Sequence, residues 1–276
     1  MRFKNAAFFL MLPCIGLLIG LLVGIGNLLE QAFWGADGFS IDNLRSFVER
    51  PDAMSVFVYT HQMAAVVTAI CLVIGYPLAA FMARRTNVFF LVLLILPLLI
   101  SIVVRTYGWI VILGPRGLIN SSLMGLGIID TPIRLMFNNF GVVLGLVHVF
   151  LPFAVISILS VYVKIDRSLS EAAAALGASP TRVFARVTLP LTMPGVLSAA
   201  TIVYLLTLGA IVTPLLLGGP RQMMLGSMIY DQMLVLYNFP RAAASAIMLT
   251  LSAVVAVIPL QLLDRWFARR LPAARD

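Results

Sequence analysis

The chain has 276 residues; 61% are hydrophobic and only 11% are charged. Soluble domains carry about 25% charged residues, so this chain lacks the polar surface for water and reads as an integral membrane protein. Its apolar runs of about 20 residues suit membrane helices and exclude the ten-residue alternation of an outer-membrane barrel.

The first apolar segment covers residues 6–29 and follows Arg2 and Lys4. It is longer than a signal-peptide core and no A-x-A site follows it, so an uncleaved helix is expected. A loop with Glu30, Asp37, Asp42, Glu49 and Asp52 comes next, in which "IDNLRSFV" has the pattern of a short amphipathic helix. Further spans are expected at 60–83, 88–113, 139–163, 194–217 and 242–263. The expected fold is an all-α membrane protein with six transmembrane helices in a single transmembrane domain, 1–276.

An even number of spans places both termini on one side. With the N-terminus inside, 12 of the 19 Lys and Arg residues lie on the inner side, against Asp166, Glu171, Asp264 and Asp276. The inner side then carries the whole net charge of +8, as the positive-inside rule requires. That charge is accounted for by topology, so no nucleic-acid partner is expected. Cys14 and Cys71 lie inside apolar runs and read as small buried hydrophobes. No metal site is expected. Pro13, Pro77, Pro97, Pro152, Pro214 and Pro259 each interrupt a span, because proline frees the carbonyl four residues back.

The segment between the fourth and fifth spans, 164–193, is long and basic. Ser168 and Glu171 fit a capping box opening one short helix, and Gly177 fits its left-handed end. Ser179 and Pro180 fit the N-cap and first position of a second helix. Val183, Phe184 and Val187 form its apolar stripe; Arg182 and Arg186 lie on another face. Pro190 and Pro194 are expected to separate this helix from the fifth span. A rigid cytoplasmic helix–turn–helix results, coated with alanine.

This segment resembles the E-A-A-x3-G-x9-I-x-L-P signature of the membrane subunits of binding-protein-dependent ABC importers. Glu171, Ala172, Ala173, Gly177, Leu189 and Pro190 match at the signature's spacing, and Val187 replaces the isoleucine. The resemblance implies the type I importer-permease architecture and a coupling loop that docks on a cytoplasmic ATPase through Glu171, Ala172, Ala173, Leu176, Gly177, Ala178, Ser179, Leu189 and Pro190. It also implies two copies of that ATPase, a second homologous permease as heterodimer partner, and an external solute-binding protein. No cofactor is expected on the chain itself. It has no G-x-x-x-x-G-K-[ST] loop, so ATP and Mg are expected on the partner ATPase, and the chain is expected to be no enzyme.

"CLVIGYPLAAFMAR", "GIIDTPIRLMF", "GLVHVFLPF" and "VTPLLLGGPRQMMLGSMIYDQM" extend the resemblance to the first-type permeases of spermidine/putrescine importers. The implied cargo is a polyamine, moved by alternating access across a bacterial inner membrane. Similar permeases serve opines, guanidino acids, aminoethylphosphonate, thiamine or iron. A polycation needs carboxylates or aromatic faces along its path. Candidates are Asp231 with Tyr230, and Tyr59, Tyr107, Trp109, His148 and Tyr204; the same aromatics suit an interfacial belt. His148 suits packing at a helix junction with a local partner. Arg105 lies about 25 Å along the third span from its inner end, where snorkelling at the outer interface is expected. Arg221 suits an exposed outer loop. An ion-coupled secondary transporter would need intramembrane carboxylates or paired histidines, which the spans lack.

Overall fold

The computed structural model describes residues 2–35, 38–85 and 88–270. Among the described residues, six helical stretches are long and apolar enough to cross a membrane. In chain order, α1 is Arg2–Phe33, followed by a hairpin pairing Trp34–Gly35 with Gly38–Phe39. Next come α2 (Asp42–Glu49), α3 (Pro51–Arg84), α4 (Val88–Leu99), α5 (Ile102–Leu113), α6 (Leu118–Gly125) and α7 (Asn139–Tyr162). The second half holds α8 (Arg167–Ala175), α9 (Pro180–Val183), a wide π-type turn (Phe184–Thr188), α10 (Leu189–Leu208), α11 (Val212–Leu217), α12 (Leu225–Leu234) and α13 (Phe239–Arg270).

The spans at 6–29, 60–83, 139–163 and 242–263 correspond to α1, α3, α7 and α13. The expected third span, 88–113, is not one helix. Pro97 lacks the amide that would continue the ladder, α4 ends at Leu99, and α5 restarts at Ile102 after Ser101. The expected fifth span, 194–217, is also broken: α10 starts earlier, ends at Leu208, and α11 follows as a separate short helix.

The chain forms two compact units. One comprises Met1–Ser55 and Met228–Leu249. Here Ala32 of α1 packs with Ala243 and Ile247 of α13, and Phe47 is the buried face of α2. Gln232 is buried, and its Oε1 accepts from Ser245 Oγ at 3.0 Å. Apart from Ala32 and its neighbours at the C-terminal end, α1 from Pro13 onward is exposed, the surface a bilayer covers.

The other unit comprises Val56–Ser227 and Thr250–Asp276. Its core is α7, which contributes Val142, Leu146, Phe150, Ala154, Val155 and Ile158 to one cluster with Val67, Cys71 and Ala79 of α3 and Ala199 and Val203 of α10. Lipid is as apolar as these side chains, so close packing and hydrogen bonds hold membrane helices together. The α7–α10 contact follows that rule. A Cβ on Gly195 would lie 3.0 Å from Val161 Cβ and 3.2 Å from Ile158 Cα, so glycine permits the approach. Fully buried Asn120 of α6 ties the following loop: its Nδ2 donates to Gly114 O and Ile133 O, each at 3.0 Å, and its Oδ1 accepts from Ile133 N at 2.8 Å.

Candidate functional site

The signature segment folds as a projecting lever. Helix α8 starts one residue before Ser168. Its N-cap is Asp166, whose Oδ1 accepts from Ser168 N at 2.9 Å. The expected capping box at Ser168 is therefore displaced: Asp166 reaches the second amide of the helix first. Hydrogen bonding from Ser168, the backbone amide foremost, holds the Asp166 carboxyl below the usual carboxylate value.

At the other end Gly177 has φ +83°. Gly177 N donates to Ala174 O at 2.9 Å and Ala178 N to Ala173 O at 3.1 Å. These are the two bonds of a Schellman motif, and they require a left-handed residue that glycine supplies without a steric penalty. Glu171, Ala172, Leu176, Gly177 and Ser179 are exposed, Leu176 by 89%; Ala173 and Ala178 are half-buried.

Ser179 occupies the N-cap of α9 with Pro180 after it, but its hydroxyl faces Thr181 Oγ1 at 3.2 Å and makes no capping bond. The expected separation of this helix from the fifth span is absent. Residues Pro180–Leu208 run as one helical path. Pro190 lies in the first turn of α10, where the missing amide is tolerated, and the wide turn Phe184–Thr188 absorbs the mismatch. Helix α9 is therefore continuous with α10 through the wide turn.

The candidate pathway residues divide between the two units. Tyr59, Tyr107, Trp109, His148 and Tyr204 belong to the α7-centred unit; Tyr230 and Asp231 belong to the other. Trp109 Nε1 donates to His148 Nδ1 at 3.1 Å, with the rings edge-on at 5.5 Å. That bond assigns the His148 proton to Nε2 and supplies the local partner expected for His148. Tyr59 donates to Asn139 Oδ1 at 3.2 Å, and Gln222 Nε2 donates to the same oxygen at 3.3 Å, so Tyr59 ties α3 to the start of α7. Tyr107 is 55% exposed. Arg221 is exposed on a short turn, Pro220–Gln222.

Two residues depart from the reading of the sequence. His61 of α3 had no assigned role, yet its Nδ1 lies 2.7 Å from Tyr204 Oη on α10 and its Nε2 is buried without a partner. Arg105 of α5 is half-buried. Its Nε and Nη1 are buried without hydrogen-bond partners. The break at Ser101 displaces it from the continuous helix that the snorkelling geometry assumed.

In the α1 unit, Tyr230 is exposed and Asp231 half-buried on α12. A crevice of about 410 Å³ there is lined by Gly24, Asn27, Leu28, Gln31, Ile229, Met233, Phe239, Ala242, Ala243 and Ala246. Among the described residues no carboxylate lines it, and neither Tyr230 nor Asp231 contributes.

Comparison with known proteins places this geometry. Residues 72–272 match the family described as binding-protein-dependent transport system inner membrane component. The chain is 38% identical over 236 residues to the spermidine/putrescine transport system permease protein PotB of Escherichia coli (strain K12), covering 84% of each chain. It is 30% identical over 277 residues to the inner membrane ABC transporter permease protein YdcU of Escherichia coli (strain K12), covering 87% of each. The fold is similar to a chain in the crystal structure of a bacterial ABC transporter involved in the import of the acidic polysaccharide alginate, with a TM-score of 0.72, 19% identity and 96% coverage of both chains.

Proposed function

Because the chain belongs to the family of binding-protein-dependent transport system inner membrane components, we propose that it is the permease subunit of an ATP-driven importer of spermidine and putrescine. It is a multi-pass protein of the bacterial inner membrane. The cargo assignment rests on the 38% identity to PotB over 84% of both chains.

In this reading both termini and the 164–193 loop face the cytoplasm. Two copies of an ATPase subunit, each with ATP and Mg, dock on this loop and on that of a second, homologous permease. An external solute-binding protein delivers the cargo. Glu171, Ala172, Ala173, Leu176, Gly177, Ala178 and Ser179 form the docking face; Leu189 and Pro190 join it to the span. A lever capped at both ends and continuous with α10 transmits displacement, whereas a floppy loop would absorb it. ATPase closure then drives the α7–α10 core between inward- and outward-facing states. His61, Tyr204, Trp109 and His148 offer aromatic and hydrogen-bonding groups along the path.

The test is uptake of labelled putrescine and spermidine by cells carrying the complete transporter, with Gly177→Asp as the loop variant. Uptake in the wild type that is lost in the variant at equal membrane levels supports both cargo and coupling. A wild type that takes up neither amine refutes the cargo and leaves the family intact.

A second reading of the cargo has one observation in its favour. The unpartnered, buried guanidinium nitrogens of Arg105 repel a polycation and suit a carboxylate or phosphonate. A solute carrying an amino group and an oxyanion fits them better, as do guanidino acids, opines or aminoethylphosphonate. Arg105→Gln separates the readings: polyamine uptake persists or rises in the variant, whereas uptake of an oxyanion-bearing solute is lost.

A further inference from the structure

The loop's displacement needs a route into the second span as well as into α10, and Tyr76 occupies the junction. Its ring is edge-on to Phe184, in the wide turn, at 5.7 Å and 84°. It is also edge-on to Tyr162, the last residue of α7, at 6.3 Å and 67°. Its hydroxyl lies 2.9 Å from Thr192 Oγ1 on α10. Three elements thus meet on one side chain of α3, immediately before Pro77, where the helix ladder is already interrupted.

The hydrogen-bond direction follows from counting protons. Thr192 is fully buried, and its Oγ1 lies 3.0 Å from both Thr188 O and Leu189 O. A threonine hydroxyl has a single proton. That proton is shared between the two backbone carbonyls at the junction of the wide turn and α10, so Tyr76 donates to Thr192. A chain of bonds results, from Tyr76 through Thr192 to the carbonyls of Thr188 and Leu189. It ties α3 to the stretch where the ladder is weakest, between the π-type turn and Pro190.

We propose that Tyr76 is a positioning residue that latches α3 to the root of the coupling loop, so that the loop and the Pro77 region of α3 move as one body. Without the latch, the wide turn yields and α3 lags behind the loop. The ring contacts with Phe184 and Tyr162 set its position, and the Thr192 bond fixes its register along α10. The proposal rests on the coupling reading above and is independent of the cargo.

The experiment uses the complete transporter reconstituted in liposomes with its ATPase, partner permease and binding protein. Uptake per ATP hydrolysed is measured for wild type, Tyr76→Phe, Thr192→Val and Thr192→Ser. Loss of one hydrogen bond predicts about a five-fold fall in the ratio for Tyr76→Phe and Thr192→Val, with recovery in Thr192→Ser, which keeps the hydroxyl. An unchanged ratio in Tyr76→Phe, or uptake and hydrolysis falling in proportion, overturns the latch. A second readout needs no cargo. Spin labels at Val73→Cys and Arg182→Cys, both exposed positions, are introduced in a Cys14→Ala background. They should report one distance in the nucleotide-free and vanadate-trapped states. With Tyr76→Phe added, the distance should differ between the states. A wild-type distance that changes between them overturns the proposal even where uptake is normal. If the wild-type transporter carries neither amine, the cargo reading fails and the distance measurement alone decides the latch.

Discussion

Substitution at Gly177 separates backbone strain from docking. Glycine sits there at φ +83°, and an added Cβ meets no atom within 4 Å inside the chain. The fold therefore penalises only backbone conformation. For alanine the left-handed conformation costs roughly 1–2 kcal/mol. Asparagine costs less because it enters this region several-fold more often than other non-glycine residues, and valine costs more because it is β-branched. Loop stability should fall in the order Gly, Asn, Ala, Val. Amide exchange across 173–178 measures it, and about 1.4 kcal/mol of strain is a ten-fold loss of protection. The proposed docking against an ATPase adds a different demand, for a small side chain beside exposed Leu176. Uptake should then favour alanine over asparagine, reversing the stability order. If uptake instead ranks asparagine above alanine, the loop is sensitive only to its own backbone, and the close approach of a partner at Gly177 is refuted.

Three further outcomes follow from the described contacts. The cap of α8 is strongest with the Asp166 carboxylate ionised. Its carboxyl value is depressed, so the contribution is full at neutral pH and is lost as pH falls below about 4; amide exchange in α8 should show this loss in the wild type and not in Asp166→Asn. Asn120→Leu removes the three hydrogen bonds that tie Gly114 and Ile133 to α6 and should cost about 3 kcal/mol, read as a lower denaturation midpoint in detergent. Gly195→Ala forces α10 away from Val161 and Ile158 and should cost about 1–3 kcal/mol; an unchanged melting temperature would mean that the α7–α10 spacing is loose.

The parts of the fold that could be read locally were those with local causes. Helix α7 starts after Asn138, whose side chain accepts from Gly141 N at 3.0 Å, a cap visible beside an apolar run. Gly177 has its expected φ because helix ends select glycine. The third span was misjudged because Pro97 looks the same in sequence whether it kinks a helix or ends one; the outcome depends on what packs beside it. Asp166 and Ser168 are both able caps, and only geometry decides between them. His61 could not be singled out, since its partner Tyr204 is 143 residues away. Arg105 was placed by counting along a helix that turned out to be broken.

The polar side chains of the spans divide into two groups, and the division bears on how the chain works. Thr60, Thr106, Thr201 and Thr207 each donate to the carbonyl four residues back, at 2.7 to 2.9 Å. These hydroxyls cost the membrane nothing further. Among the described residues, Thr68 Oγ1, Thr213 Oγ1, His61 Nε2 and two guanidinium nitrogens of Arg105, Nε and Nη1, are buried and unpartnered. In hydrocarbon each such group costs several kcal/mol. A chain that satisfies those threonines by so local a rule retains these four groups only where a changing environment meets them. All four lie in the α7-centred unit, the unit that also holds the 164–193 loop. In the proposed transport cycle alternating access would supply such an environment, because the helices that carry these groups would face one another in one state and a passing solute in the other. Replacing Thr68 and Thr213 together with valine should therefore stabilise the isolated chain while slowing uptake in the assembled transporter, a separation that purely structural threonines would not produce.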